Sequence, residues 1–221
     1  KGALASVICK EVPWDKVSSY GVVVADKDGK ITEFQEKPSQ EEAKSNFIST
    51  GIYIFEPEVI NMFPPGRTFD IGSELFPLLA KEGLPFYAQT RGFNWVDIGS
   101  VSDYWQTLQS VLMGDVAHLD VPGVQIKDGV WVGLNTQVDW EGVKIEGPVY
   151  IGSGVKIEKG VTIQGPTWIG HGNHICTGAK IVRSVLFEYT RVLQDVTLNE
   201  MIVFKDYSVD RKGEMKHVSE Y

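Results

Sequence analysis

The chain has 221 residues, 43% of them hydrophobic, with a formal net charge of −8 and an isoelectric point near 5.0. That length supplies one large domain or two modest ones, with enough apolar material to offset the entropy of ordering a core. The acidic balance argues against nucleic acid or a membrane surface as partner, but leaves room for a phosphate pocket, which needs only one or two placed cations. Cys9 and Cys176 are the only cysteines and lie far apart. No disulfide framework is expected, and a reducing, cytoplasmic setting fits. No apolar run reaches membrane-spanning length, and Lys1–Cys9 lacks the apolar core of a signal peptide. The chain does not open on Met, so an N-terminally truncated fragment is expected.

Residues 3–10 read as a short buried strand. Residues 20–25 and 31–36, joined by a turn with Asp28-Gly29 at its tip, predict a β-hairpin. Ser39-Gln-Glu-Glu42 has capping-box form and predicts a short helix. Residues 47–55 form another apolar strand. Ile71, Leu75, Leu78 and Leu79 have helical spacing over 70–81, with Gly83 as the stop. A strand over 84–90 and a short apolar run at Trp95-Val-Asp97 follow. Ser100 with Asp103 caps a helix to about Met113, with Val101, Tyr104, Leu108, Val111 and Leu112 on its inner side. Mixed strands and helices make 1–113 an α/β region.

After Gly114 the periodicity changes. Ile145, Ile151, Ile157, Ile163, Ile169, Ile175 and Ile181 recur every six residues. Neither a helix, with period 3.6, nor a simple strand, with period 2, explains this. Six is the period of a triangular parallel β-helix, in which each short strand sends one aliphatic group inward before a corner. Gly147-Pro148 returns as Gly165-Pro166, three six-residue sides later. Val132 and Val138 extend the pattern backwards across a one-residue insertion. Leu186, Val192 and Leu198 extend it forwards across a deletion, and Val203 with Val209 across another, giving four to five coils. The expected organisation is an α/β region over 1–113, a linker over 114–123, a left-handed β-helix over 124–210 and a tail over 211–221.

The residue before each inward aliphatic points outward. One such column reads Trp131, Tyr150, Trp168, Val185 and Ile202, an apolar stripe. It predicts a docking face against the first domain or a second subunit, and hence a homo-oligomer through the β-helix.

Four features carry candidate chemistry. Glu36-Lys37-Pro38 follows a strand end, where an ammonium suits a phosphate and a carboxylate suits sugar hydroxyls. In isolation it also reads as a charged turn stabilised by Pro. Asp97, in Trp95-Val-Asp-Ile-Gly99, stands before a helix N-terminus and could ligate Mg²⁺ or simply cap a turn. Gly21 starts a strand and permits close approach of a ligand. Thr50 and Gly51 lie mid-strand, where Gly marks either close approach or a bulge.

The ordered set Tyr20-Gly-Val-Val, Phe34-Gln-Glu-Lys-Pro38, Ser49-Thr-Gly-Ile-Tyr53, Phe69-Asp-Ile with Leu75-Phe-Pro77, and Trp95-Val-Asp-Ile-Gly99 resembles the sugar-1-phosphate nucleotidyltransferases. It looks most like the mannose-1-phosphate guanylyltransferases; the glucose-1-phosphate thymidylyl-, uridylyl- and adenylyltransferases share much of it. The appended hexapeptide β-helix is typical of that family. The resemblance implies that nucleoside triphosphate and sugar 1-phosphate give nucleotide sugar and pyrophosphate, with Mg²⁺ as cofactor. It places Lys37 on the sugar phosphate, Glu36 on sugar hydroxyls, Gly21, Thr50 and Gly51 against the sugar, and Asp97 on the metal. Many members carry Asn where this chain has Ser49. Arg67 aligns loosely with a phosphate contact.

One departure is large. The family's Gly-rich loop with Gly-Thr-Arg, which grips the triphosphate, occurs nowhere in this sequence. The Asp that shares the metal is also missing. The chain is thus expected to hold the acceptor side only, to lack catalytic residues of its own, to depend on a missing N-terminal half and to be inactive alone. Two other readings stand beside this one: an acyl-CoA-dependent hexapeptide acyltransferase using His171 or His174 as base, and a non-catalytic assembly or regulatory module.

Overall fold

The first strands are rich in β-branched valine and isoleucine, which suit a pleated, half-buried surface, and they make one mixed sheet. Its strands are β1 (Ala5–Glu11), β2 (Gly21–Ala25), β3 (Ile31–Glu36), β4 (Phe47–Phe55) and β5 (Phe86–Thr90), in the order β3-β2-β4-β1-β5. Only β1 and β5 pair in parallel. The computed structural model describes residues 2–217 and divides into two compact units, Lys1–Trp95 and Val96–Tyr221. In the first unit, helix α1 (Phe76–Lys81) follows a single π-helical turn, Ile71–Leu75, and buries Phe76 and Leu79. The Phe76 ring sits among Phe34, Tyr53 and Phe86 with centroids 4.9–5.0 Å apart. Such aromatic packing adds roughly 0.5–1.5 kcal/mol per pair beyond area burial.

Local expectations failed at two places, one within this unit and one across its end. Ser39 and Glu42 exchange the capping-box bonds, yet only a turn forms. Gln35 explains this: its amide donates to Glu42 O and accepts from Lys44 N, engaging the backbone groups a helix would continue through. Residues 91–99 carry no strand, and the apolar run there stays open, with Val96 50% and Ile98 57% exposed.

In the second unit the six-residue register holds. Three sheets stack parallel strands, Val130–Val132, Val149–Ile151, Thr167–Ile169, Val185–Leu186 and Met201–Phe204 on one side and four two- or three-residue strands on each of the others. Val124–Lys127, at the expected start of the β-helix, instead pairs antiparallel with Val130–Val132. This is a β-solenoid of about four turns. Ile145, Ile163, Ile181 and Leu198 pair in one column, as do Val138, Ile157, Ile175 and Val192 in another. The insertion and first deletion fall between strands, at corners, so the inward columns survive them. Both recurring Gly–Pro bonds are cis.

The last step of the register fails. Val209 does not begin another coil: Met201–Phe204 turns through Lys205-Asp206 into the antiparallel strand Tyr207–Asp210. Val209 pairs with outward Ile202, while Ser208 stands opposite inward Val203. Met215–His217, within the expected tail, adds a further antiparallel strand; residues 218–221 lie outside the described residues.

Helix α2 (Val101–Met113) falls by its contacts in the second compact unit. Ser100 accepts from Asp103 N as its cap, and Gly114 ends it at φ 79°. The helix lies against Thr167–Ile169: Trp105 Nε1 donates to Arg183 O, Gln109 Nε2 to Pro166 O, and Tyr104 stacks on Phe187. The outward apolar column is therefore already occupied. Tyr150, Val185 and Ile202 are buried, and Trp168 packs on Tyr150 at 4.1 Å between centroids. Of the two occupants expected for this face, the first domain or a second subunit, the structure places residues 101–113, from the expected first domain, against Thr167–Ile169.

Candidate functional site

The rim of the sheet where β3 ends gathers three of the expected residues, Gly21, Glu36 and Lys37. Gly21 and Glu36 are cross-strand partners on β2 and β3. A Cβ at Gly21 would collide with the Phe34 ring and stand 3.2 Å from Glu36 Oε2. Phe34 is locked by Phe76, so the ring cannot easily yield. A Cβ at Gly72, in the π-helical turn, would fall 2.5 Å from the same Glu36 oxygen. Two glycines from separate elements thus leave the space in which the Glu36 carboxylate stands.

Lys37 is held at φ 46°, the left-handed region that costs an L-residue about 1–2 kcal/mol. Its N–H donates to Tyr20 O, which fixes the reversal. Among the described residues neither the Lys37 ammonium nor the Glu36 carboxylate has a hydrogen-bond or ion-pair partner. Left-handed residues also occupy ordinary turns of this chain, Lys205 at φ 49° among them, so the backbone alone does not mark a site; what distinguishes Lys37 is the adjacent Glu36 carboxylate and the space that Gly21 and Gly72 leave around it.

Asp70 joins this cluster, and sequence reasoning missed it. It caps the π-helical turn, with Oδ1 accepting from Ser73 N at 2.7 Å and Ser73 Oγ at 2.8 Å. Those bonds from Ser73, aided by the Gly72 N–H and the Lys37 charge, hold its carboxyl below the usual range. Asp70 sits in the quoted stretch Phe69-Asp-Ile, which entered only as part of the ordered set, and Gly72 follows just outside it. Arg67 is already committed: its guanidinium makes two bonds to Glu74, at 2.7 and 3.1 Å.

Thr50 and Gly51 lie in β4 at a bulge, where the register against β1 slips between Val7 and Cys9. Gly51 has φ 81° and open space where a side chain would point. Thr50 Oγ1 donates to Ile8 O at 2.8 Å, so its hydroxyl proton is used within the sheet. Trp95 links this bulge to the rim. Its Nε1 donates to Thr50 O, and its ring meets Tyr20 edge-on at 5.6 Å. Trp95 was noticed only as part of a motif; its indole joins two of the expected segments.

Asp97 falls in the second unit, exposed, with no hydrogen-bond partner among the described residues. A Cβ at Gly99 would stand 3.7 Å from Asp97 Oδ2 and 3.9 Å from Asp103 Oδ2, so this glycine separates two carboxylates. Exposed oxygen donors of this kind fit a hard, largely hydrated cation such as Mg²⁺. The β-helix histidines have local partners. His171 Nδ1 accepts from Ser153 N, and His174 Nε2 lies 2.8 Å from Glu158 Oε1. Bonds from His174 and Thr177 bring the Glu158 carboxyl down to about 2.

The Nucleotidyl transferase family profile matches residues 1–113, just over half of the chain. The chain therefore belongs to the nucleotidyl transferase family. It is 51% identical to a UTP–glucose-1-phosphate uridylyltransferase of Synechocystis sp. over 213 residues, 96% of this chain and 55% of that protein. It is 34% identical over 113 residues to a glucose-1-phosphate adenylyltransferase of Pseudothermotoga lettingae, 48% of this chain and 26% of that protein. A glucose-1-phosphate adenylyltransferase of Bacillus cytotoxicus is 27% identical over 217 residues, 92% of this chain and 54% of that protein. The chain spans about half the length of the first of these relatives. All three carry glucose-1-phosphate names, which moves the reading away from mannose. Among the described residues no helix is long and apolar enough to cross a membrane.

Proposed function

We propose that this chain carries the sugar-phosphate-holding part of a UTP–glucose-1-phosphate uridylyltransferase. The observation that carries it is the pair of unpartnered charges, Glu36 and Lys37, raised on a strained reversal between Gly21 and Gly72. The sugar and the base follow the 51% identical relative.

In this reading the Lys37 ammonium meets the phosphate of glucose 1-phosphate, and Glu36 accepts hydrogen bonds from the sugar hydroxyls. Gly21 and Gly72 keep the ring space free. Gly51 leaves the β4 bulge open, and Trp95 with Tyr20 walls the rim. A phosphate oxygen of the sugar phosphate then attacks the α-phosphorus of UTP in line, and pyrophosphate leaves. The work of this chain is positioning: it fixes the nucleophilic oxygen and offsets the charge that would repel it from the triphosphate. Asp97 would hold Mg²⁺, which neutralises charge on the phosphates when bound.

Calorimetric titration with glucose 1-phosphate tests the site. The 221-residue chain should bind it, and Lys37→Ala should weaken binding about 10- to 100-fold, the worth of one charge-assisted contact. Mannose 1-phosphate should bind more weakly. Equal affinity in the wild type and Lys37→Ala would refute the assignment.

A further inference from the structure

The β-helix contains a cluster that sugar-phosphate chemistry does not use. Glu158, His174 and Cys176 each offer one ligand atom, and these atoms lie within 4.8 Å of one another. We propose that they form a binding site for a divalent ion of the zinc class, distinct in kind from a Mg²⁺ site.

The register builds the cluster. Ile157 and Ile175 are inward partners on adjacent coils, and Lys156 pairs with His174. Glu158 therefore stands one strand spacing from Cys176, roughly 4.8 Å. His174, two residues before Cys176, projects on the same outward side and already reaches Glu158 Oε1 at 2.8 Å.

The donor set points to the metal class. Imidazole nitrogen, thiolate sulfur and carboxylate oxygen suit Zn²⁺, Co²⁺ or Cd²⁺, whereas Mg²⁺ wants oxygen alone. Donor atoms on a tetrahedral ion stand roughly 3.5 Å apart, given metal–ligand bonds near 2.0–2.3 Å. The Glu158–His174 pair must open by less than about 1 Å, and the sulfur must close by a similar amount, within the reach of side-chain rotation.

Two further features fit an ion. Thr177 N and Oγ1 hold Glu158 Oε2 at 3.0 and 2.9 Å, which leaves Oε1 facing His174. This is the outer support that orients a ligating carboxylate. Cys176 is 7% exposed while the Glu158 and His174 side chains are each 30% exposed, so the site is shielded on the sulfur side and open on the other. Lys156 Nζ, 4.0 Å from Glu158 Oε1, opposes a cation. Thiolate and carboxylate together carry −2, which neutralises a bound dication and leaves Lys156 facing no net positive charge. Binding would release the thiol proton and staple the second coil to the third.

The test is a Co²⁺ titration of the reduced, tag-free chain followed by absorption. One equivalent should give a sulfur-to-cobalt charge-transfer band, lost in Cys176→Ser, kept in Cys9→Ser and bleached by Zn²⁺ but not by Mg²⁺. Glu158→Gln should weaken Co²⁺ affinity at least tenfold, and serves as the decisive variant if Cys176→Ser does not fold. Zn²⁺ should also raise the melting temperature of the wild type. No band in the wild type, a band that survives in Cys176→Ser, or unchanged affinity in Glu158→Gln would each overturn the site.

Discussion

At the scale of single residues, Lys37 separates stability from binding. Its φ of 46° is comfortable for glycine and strained for lysine. Lys37→Gly should therefore raise thermal stability by as much as about 1 kcal/mol, the left-handed strain less the added freedom of the unfolded chain. The same change should weaken glucose 1-phosphate binding about 10- to 100-fold, as Lys37→Ala should. A Lys37→Gly chain that melts lower and binds as before would remove the argument from strain. Cys9 gives a second handle. Burial pushes its thiol up to about 12, against a backbone hydrogen bond from Gln89 that pulls it down. The folded pKa lies above the ordinary value of 9.0, so the neutral thiol contributes stability below pH 9 that is lost as pH rises toward 12. The slope should be about 1.4 kcal/mol per pH unit in that window. Urea melts from pH 8 to 11 should show this decline in wild type, and a shallower one in Cys9→Val. The thiol itself left no trace in the sequence beyond its place in an apolar strand. Asp70 was harder still to find, because its bonded partner Ser73 and the Lys37 charge that acts on it come from separate segments.

At the scale of elements, legibility followed how local the determining contacts are. The β-helix could be read because each coil repeats one requirement, an inward aliphatic every six residues, and errors at corners do not propagate. Its end could not, because Val203 and Val209 are six apart in a hairpin as well. The difference is one of parity: across the turn at Lys205-Asp206, Ser208 faces the interior position and Val209 the outer one. The turn at 39–42 was misread for the opposite reason, since the side chain of Gln35 on β3 overrides a correct local cap. Energetics follow the same division. Ile163 is fully buried between Ile145 and Ile181, so Ile163→Ala should cost about 2–5 kcal/mol. Circular dichroism melts would read that loss. Trp168→Glu should also lower the melting temperature, because it places a charge where α2 packs, while the mass in solution stays unchanged. A change of mass with no loss of stability would return the column to a role between subunits.

At the scale of the whole molecule, the proposed sugar-phosphate site separates binding from transfer. The ordered motifs, read together, pointed to the family although each alone had a plainer explanation, and the profile match over residues 1–113 agrees. The sugar was not legible, because in the proposed reading Glu36 and Lys37 would address hydroxyls and phosphate common to many hexose phosphates. Nothing within the 221 residues supplies the Gly-rich loop that would hold a triphosphate. Transfer to an α-phosphate depends on several placed donors, and losing even one such donor costs roughly 10²–10³ in rate. Lys37 cannot compensate, because in this reading its charge is committed to the acceptor phosphate. The 221-residue chain given UTP, glucose 1-phosphate and Mg²⁺ should therefore bind the sugar phosphate yet release no pyrophosphate above the uncatalysed background. A coupled pyrophosphate assay decides this. Release that scales with protein concentration and vanishes in Lys37→Ala would mean that these residues complete a triphosphate site by themselves.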